Sequence, residues 1–551
     1  MTSSGSFQRL EEKGRHRQKI IMEHEHHQQS RENTKVAKAA GVVGLATMLS
    51  RIFGFMRDMV VAAFFGAGLT TDAFFVAFRI PNLLRRLLGE GSLTVSFVPV
   101  FTEYLHRKSR EEAFELANIV FTILSILLVV VSIAGVVFSP LIVTIMAPGF
   151  TRVPAQYDLT VFLNRLMFPY IFFISLVALC MGILNSLRHF AAPALSPVLL
   201  NIAMILATLT LRDFFREPIV ALAVGVMIGG ILQLVMQWPF LVRLGVRLKP
   251  DFHFRHPGVK RIWLLMLPAF FGAAIYQINI FVGTILATLL PGGSVSYLYY
   301  ADRIVELPLG VFGIAVGTAT LPSFSEQVSK GNFEEFKKTI AFSLRLILFI
   351  TIPAMIALIA LREPIISVLF QRGHFDVQST IFTAQALFYY AVGLWAFSVI
   401  RVIVSAFYSL QDTKNPMKAA IVALLVNVAC SVILMFPLKH GGLALATSIA
   451  SAVNVIMLTL ILKRKIGPFV NLDFYRSVSK MIIASAAMWG AIVLIDVIFP
   501  WKTGGSFNER LAFLTIAIAV GAVTFFGICA MIRIPEMMTI MRILQKKFRR
   551  A

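Results

Sequence analysis

RIPNLLRRLLGEG, residues 79–91, sets three arginines and a glutamate into a stretch that is apolar on both sides. TDAFFVAF (71–78) runs into it and SLTVSFVPVF (92–101) runs out of it. The whole chain has this character: 551 residues, 58% hydrophobic and only 14% charged. Soluble domains average roughly 45–50% apolar and about 25% charged residues, so both departures indicate a polytopic membrane protein. The net charge of +23 would suggest nucleic acid in a soluble protein. Here the basic residues cluster at the ends of apolar runs, where they act as topology signals, and no nucleic-acid partner is expected. Cys180, Cys430 and Cys529 are far apart in apolar runs, which excludes a disulfide framework and a cysteine metal set. His24, His26 and His27 sit in a polar N-terminal tail without a signal-peptide core and are read as solvated, not as metal ligands.

A spanning helix needs about 20 mostly apolar residues. Such runs fall near 36–65, 71–103, 114–146, 158–186, 191–211 and 217–243. A second set falls near 262–290, 295–324, 337–361, 378–409, 417–437 and 441–463, with two more near 477–499 and 509–532. The expectation is therefore an all-α protein of fourteen transmembrane helices. With the N-terminus inside, the inner loops collect Arg107, Lys108 and Arg110, then Arg243, Arg247 and Lys249, and finally Lys463, Arg464 and Lys465. The outer loops are poor in Lys and Arg, as the positive-inside rule requires, so both termini are expected in the cytoplasm.

The chain also resembles itself. FRIPNLLRRLLGEG… aligns with DRIVELPLGVFGIA…, placing Arg79 on Arg303 and Glu111–Glu112 on Glu334–Glu335. Pro140 falls on Pro364, Gly149 on Gly373, Ser186 on Ser409 and Pro193 on Pro416, all at an offset of 223–224. That offset spans six helices, an even number, so the halves form a parallel repeat, a design that places substrate between the lobes near mid-membrane. The expected division is a polar cytoplasmic tail (1–35), a first six-helix lobe (36–243), a cytoplasmic linker (244–261) and a second six-helix lobe (262–465). Two extra C-terminal helices (466–532) and a basic amphipathic tail (533–551) complete it. That tail either lies along the inner membrane surface or is a short solvated helix.

The charges inside the spans are the candidate site. Arg51 and Asp58 are seven residues apart and return to nearly the same helical face, with Arg57 projecting about 100° away. Asp72, Arg79 and Arg86 are also spaced by seven, with Arg85 beside them and Glu90 one turn beyond Arg86. Asp302, Arg303 and Glu306 share the matching helix of the second half. One charge at mid-bilayer costs about 2.5–3.5 kcal/mol, so exposing all of these to lipid would cost well over ~10 kcal/mol, a whole domain's stability. They must face each other or water. The six arginines outnumber the five acids, which leaves a cavity of positive balance. For Asp58, Asp72, Asp302 and Glu306, ion pairs that lock helices together are an equal reading. For Arg57 and Arg303 substrate contact is favoured, because a guanidinium grips phosphate or carboxylate with two parallel bonds. Pro81, Gly89 and Gly91, and Pro308, Gly310, Gly313 and Gly317, weaken the same helix in each half, the pattern of a transport site.

SRIFGFMRD, FGAGLTTDAFFVAFRIPNLLRRLLGEG, FVPVFTEY, APGF and YYADRIVELPLGVFGIAVGTATLPSFS resemble the bacterial lipid II flippase family, MurJ, of the superfamily that includes multidrug and polysaccharide exporters. The resemblance runs from about residue 36 to the C-terminus. It implies alternating-access transfer of undecaprenyl-pyrophosphate-linked disaccharide-pentapeptide between leaflets of the bacterial cytoplasmic (inner) membrane, for peptidoglycan synthesis. It also implies association with membrane lipids and with the cell-wall synthesis machinery. By motif it marks Arg51, Arg57, Asp72, Arg85 and Arg303 as required, with Asp58, Arg86 and Glu90 beside them. Arg79 is counted with the substrate arginines. Helices 13 and 14 resemble the pair that forms a groove for the lipid tail. Some relatives bind sodium in the second half, where this sequence offers no clear acidic site.

No cofactor and no enzyme activity are expected. There is no G-x-x-x-x-G-K-[ST] nucleotide motif, so the expected drive is a Na⁺ or H⁺ gradient or the membrane potential. A flippase for another polyprenyl-linked glycan would differ only in the head-group it carries. A cation-drug exporter of the same fold would line its cavity with acids. A prenyl-phosphate enzyme would need clustered carboxylates or a His/Asp base on a cytoplasmic loop, and the loops are short and basic.

Overall fold

The computed structural model describes residues 41–86, 92–310, 314–538 and 545. Glu90, the histidines of the N-terminal tail and residues 539–544 and 546–551 of the C-terminal tail lie outside these residues. Among the described residues every regular element is helical.

Eight helices follow a first one, α1 (41–65). They are α2 (Leu69–Leu84), α3 (Thr94–Arg107), α4 (Arg110–Val137), α5 (Ser139–Met146), α6 (Pro154–Met167), α7 (Tyr170–Ser186), α8 (Ala191–Leu211) and α9 (Val220–Arg243). The succession then repeats. It runs α10 (Pro257–Thr288), α11 (Ser294–Pro308), α12 (Ile314–Ser329), α13 (Phe333–Ala360), α14 (Arg362–Phe370), α15 (Val377–Val392), α16 (Leu394–Ser409), α17 (Lys414–Leu438) and α18 (His440–Ile466). Packing partners repeat with it: α2 on α6 and α11 on α15, α4 on α7 and α13 on α16, α8 on α9 and α17 on α18. α19 (Leu472–Ile498) and α20 (Phe507–Met531) pack on each other, and α19 on α13.

The sequence repeats the local causes as well. The Ser109 side chain caps α4 by accepting from the Glu112 amide at 3.1 Å. Asn332, 223 residues later, caps α13 by accepting from the Glu335 amide at 3.2 Å. In both helices two glutamates occupy the first turn, where the helix dipole favours negative charge. The interruptions repeat too. α2 contains Pro81 and widens into a π turn at residues 85–86; α11 ends on Pro308 and widens at 309–310. A proline supplies no amide to the helical ladder, so each helix yields within a turn of it.

Among the described residues nine helices are long and apolar enough to cross a bilayer, or ten if the pair α15 and α16, bent by 40°, counts as one span. The spans expected near 36–65, 71–103, 262–290 and 295–324 are helical where described but fall outside that set. α1, α2 and α11 carry the charges and the breaks, which lower their apolarity and their unbroken length, whereas α10 is a continuous helix of 32 residues, some of whose side chains lie outside the described residues.

One buried core is shared between the halves at the end of the bundle that holds the α1–α2 turn. It joins Val61, Phe74 and Phe75 to Tyr300, Phe370 and Phe375. A second core, around Phe97, Phe101 and Leu184 of the first half, takes in Val259 and Ile262 at the start of α10, and the second half has its own around Phe324, Phe336 and Phe407. At the opposite end the lobes touch again where the start of α10 packs on α3, with Arg261 Nη1 2.8 Å from Glu103 Oε2.

Candidate functional site

The α2–α11 contact defines the seam between the lobes. At the sealed end Asp72 accepts from the Gly293 amide at 2.7 Å, the Ser296 amide at 2.8 Å and the Ser296 hydroxyl at 2.6 Å. A carboxylate of one lobe therefore caps the first helix turn of the other, where unpaired amides and the dipole favour an anion. One turn along, the Phe75 and Tyr299 rings stack with centroids 3.9 Å apart. Two further contacts flank this axis. A Cβ on Gly149 would stand 1.8 Å from the Thr288 carbonyl oxygen at the end of α10, and one on Gly373 would stand 2.2 Å from the Ala63 carbonyl near the end of α1. The His374 amide donates to that same Ala63 oxygen at 2.9 Å. Each lobe thus presses a glycine turn onto the other lobe's first helix.

Below the seal lies the charged cluster. The Arg57 Nε and Nη2 donate to Asp58 Oδ1 at 3.0 and 2.6 Å, and Nη1 donates to Asn201 Oδ1 on α8 at 3.1 Å. Although Arg57 leaves the helix on a different face from Asp58, its long side chain folds back onto the carboxylate. Arg303, from α11, reaches the same Asp58 with Nε 3.3 Å from Oδ2, and its Nη1 donates to Glu306 at 2.9 Å. The Tyr299 hydroxyl joins both arginines: it accepts from Arg57 at 3.0 Å and Arg303 at 3.1 Å, and donates to Asp58 at 3.1 Å. Two guanidinium groups from different lobes therefore converge on one carboxylate and one phenol. Arg57 is 8% exposed and Asp58 2%, whereas the Arg303 side chain is 35% exposed. The pair is open from the Arg303 side.

The remaining sequence candidates divide. Arg79 donates to the Thr284 hydroxyl on α10 and is within electrostatic reach of Asp302, as is Arg86. Arg85 donates to Asn82 at 3.1 Å within its own helix. Arg51 lies against Gly310 of α11, so closely that a Cβ there would fall 1.7 Å from its guanidinium. Arg51 and Asp58, on one face of α1, thus both meet α11. Asp302, Glu306 and Arg86 are exposed. With Asp72 spent on backbone amides, six arginines among the described residues stand against Asp58, Asp302 and Glu306. No group of three or more His, Cys, Asp or Glu residues that could hold a metal ion occurs among the described residues.

Sequence reasoning missed Tyr299 and Asn201. Tyr299 sits in YLYYADR, where nothing distinguishes it from its aromatic neighbours. Asn201 is the one amide side chain in the apolar α8. An arginine in a span needs polar partners from elsewhere, and that requirement was the only available signal for either residue.

The sequence profile of the lipid II flippase MurJ family matches residues 61–512. The chain belongs to that family. A probable lipid II flippase MurJ of Buchnera aphidicola subsp. Acyrthosiphon pisum is 38% identical over 468 residues, covering 85% of this chain and 92% of that protein. The lipid II flippase MurJ of Burkholderia cenocepacia is 34% identical over 487 residues, with 87% and 94% covered. A solved lipid II flippase MurJ in an inward closed conformation superposes with TM-score 0.76 at 29% identity, covering 89% of this chain and 98% of that one. An inward-facing multidrug MATE-family transporter of the MOP superfamily shares the fold, with TM-score 0.64 at 17% identity.

Proposed function

We infer that this protein is a flippase for lipid II, working by alternating access between two repeated lobes. Family membership sets the substrate, and one structural observation carries the mechanism: Arg57 and Arg303, from opposite lobes, share Asp58 and Tyr299. A pyrophosphate offers the bidentate acceptor geometry that guanidinium groups bind best. In this reading Asp58 is a stand-in anion. The incoming pyrophosphate competes with it for Arg57 and Arg303, and the carboxylate reclaims them when the head-group leaves, so neither arginine is ever left uncompensated. Arg79, Arg85, Arg86 and Arg51 supply the positive approach, with Asp302 and Glu306 limiting its depth.

The seam supports rocking. The Asp72 cap and the Phe75–Tyr299 stack close the end we assign to the outside. Elsewhere the second lobe keeps its own core and the first lobe's core meets the start of α10, so parting of that α3–α10 contact lets the lobes move as bodies about the weakened halves of α2 and α11. The prenyl chain stays in lipid along α19 and α20, whose apolar residues Trp489, Leu494, Val523 and Phe526 are exposed. We place both termini in the cytoplasm and the protein in the inner membrane, on the distribution of Lys and Arg. The drive we assign is an ion gradient or the membrane potential, about 2.3 kcal/mol per charge per 100 mV.

Depletion of the protein should make lipid II accumulate on the inner leaflet. Rescue by the wild type and failure of Arg57→Ala and Arg303→Ala, both still present in the membrane, is the expected result. Accumulation of a different polyprenyl-linked glycan would replace the substrate, and full rescue by both variants would remove the arginines from it.

A further inference from the structure

The turn between α16 and α17, together with the end of α18, encloses an open pocket of about 460 Å³. It lies far along the chain from the charged cluster and shares none of its residues. Its polar wall is built from Gln411, Asp412, Lys414, Asn415, Lys418 and Lys465. Asp412 is already committed. It accepts from Lys465 Nζ at 2.8 Å, from the Asn415 amide at 3.1 Å and from Asn415 Nδ2 at 2.6 Å. Burial works against ionisation here, but the bonds from Lys465 and Asn415 prevail and hold the carboxyl down at about 2. Lys465 and Asp412 therefore cancel as a fixed pair, leaving Lys414 and Lys418 as the pocket's net charge. These two are exposed, one turn apart on the same face of α17.

That face continues in one direction only. Beyond Lys418 it presents Ile421, Val422 and Leu425, which are 40%, 37% and 63% exposed. Two ammonium groups at the helix end thus stand directly above an uncovered apolar stripe, the order in which a phospholipid presents its phosphate and its acyl chain.

The internal repeat supplies a control. Ala191, Leu195 and Val242 occupy the positions of Lys414, Lys418 and Lys465, each 223 residues earlier. The two turns are built alike, each ending its helix on a residue of positive φ, Arg188 at 61° and Gln411 at 55°. Both sit at the same depth in a parallel repeat. A rule that only deposits charge at inner helix ends would serve the two turns equally, yet three lysines converge on one pocket in the second lobe alone.

We propose that this pocket binds the phosphate of an anionic phospholipid from the leaflet it faces, with Lys414 and Lys418 on the phosphate oxygens and the acyl chains along Ile421 and Leu425. The Asp412–Lys465 pair forms the wall that keeps the two free lysines aimed at one point. The proposal rests on the membrane reading and not on lipid II transport, so it stands or falls separately.

The test uses the full chain in nanodiscs of phosphatidylcholine containing phosphatidylglycerol, with native mass spectrometry counting the phosphatidylglycerol molecules retained on release. Wild type should retain phosphatidylglycerol over phosphatidylcholine, and the K414Q/K418Q variant should retain it about thirtyfold less, the scale expected for two surface charges near an anionic lipid. K463Q/R464Q removes the same charge from the same end of the bundle outside the pocket and should retain as wild type does. Equal loss in both double variants, or no loss in K414Q/K418Q, overturns the site. Inorganic phosphate at millimolar concentration should leave retention unchanged. Displacement of phosphatidylglycerol by phosphate would make the occupant a soluble anion and overturn the lipid.

Discussion

Asp72 and Ser296 lie 224 residues apart, stand at equivalent places in the two repeats, and touch: the Ser296 hydroxyl and amide donate to Asp72 Oδ1 at 2.6 and 2.8 Å. A contact between repeat-equivalent residues marks the axis that relates the lobes. The Phe75–Tyr299 stack, at the same offset, marks it again one turn deeper. At the next turn the equivalents Arg79 and Arg303 no longer meet. Arg79 goes to Thr284 and Arg303 to Asp58. The seam therefore opens between Phe75–Tyr299 and Arg79–Arg303, where the charged cluster begins.

Replacing Asp72 with Ala should unlatch the sealed end. The Gly293 and Ser296 amides would lose their acceptor, a loss on the order of 1–3 kcal/mol for buried donors. Asp72→Asn retains an acceptor oxygen and should lose less. The measurement is labelling of a cysteine placed at Ser294, 2% exposed in the α11 turn that Asp72 caps, by a membrane-impermeant thiol reagent. Labelling should rise in the order wild type, D72N, D72A, while cell-wall support falls in the same order. Unchanged labelling in D72A would separate Asp72 from closure.

Tyr299→Phe isolates the phenol from the ring. The stack on Phe75 survives, and only the hydroxyl bridging Arg57, Arg303 and Asp58 is lost. One net hydrogen bond to charged groups contributes about 1.5–3 kcal/mol, so flipping at low substrate should fall roughly ten- to hundredfold. A transport assay across substrate concentrations checks it. A purely structural tyrosine would instead lower thermal stability and leave transport by the surviving protein intact.

The charges were legible because they violate the cost of hydrocarbon, and the repeat because matched prolines and acids recur at one offset. The partition of the charges was not legible. Asp72, Arg79 and Arg86 share one stripe by spacing alone, yet the stripe crosses the seal, the α10 contact and a helix break, so each serves a different surface. Spacing fixes a face of one helix; the partner opposite each turn is set by how two helices diverge. The span count is similar. Apolar length identifies nine or ten spans among the described residues, and α1, α2 and α11 need the tertiary context that shields their charges and breaks.

Gly149 and Gly373 should behave as a matched pair. A Cβ at either would enter the backbone of the other lobe's first helix, 1.8 Å from the Thr288 oxygen or 2.2 Å from the Ala63 oxygen. Backbone cannot step aside as a flexible side chain can, so each alanine must push the lobes apart at the sealed end. Gly373 has φ of +56°, a conformation that adds a penalty for alanine on the order of 1 kcal/mol. G373A is therefore expected to lower the midpoint of thermal unfolding further than G149A, with both raising labelling at position 294. Equal, wild-type labelling in both would place the glycines outside the seal.

The pocket carboxyl of Asp412 gives a pH prediction of definite sign. Its value is depressed from 3.8 to about 2, so its pairing with Lys465 favours the folded state fully above about pH 4 and fades as the pH falls towards 2. Between pH 5 and 8 the thermal midpoint should therefore carry no dependence from this group. Below pH 4 wild type should lose stability faster than Asp412→Asn, which has no charge to lose. Parallel acid curves for the two proteins would show that the pair contributes nothing.

The residues just after α20 begin the expected surface tail, yet Ile534 is fully buried and Glu536 is 1% exposed. Glu536 accepts from the Ser477 hydroxyl at 2.7 Å and pairs with Arg345 Nε at 2.8 Å, tying the segment to α19 and α13. Lys480 Nζ adds a bond to the Ile532 carbonyl at 2.9 Å. Glu536→Ala strands a guanidinium whose side chain is 21% exposed, and removal of one member of a buried pair costs about 3–5 kcal/mol when no water reaches the other. Partial access of water to Arg345 brings the expected loss below that range. Glu536→Gln keeps the acceptor for Ser477 and should lose less. The double replacement Arg345→Met with Glu536→Met removes the stranded charge and should regain much of the loss. Thermal unfolding in detergent reads all three, and a double variant less stable than E536A would mean that the segment is held by packing of Ile534 rather than by the ion pair.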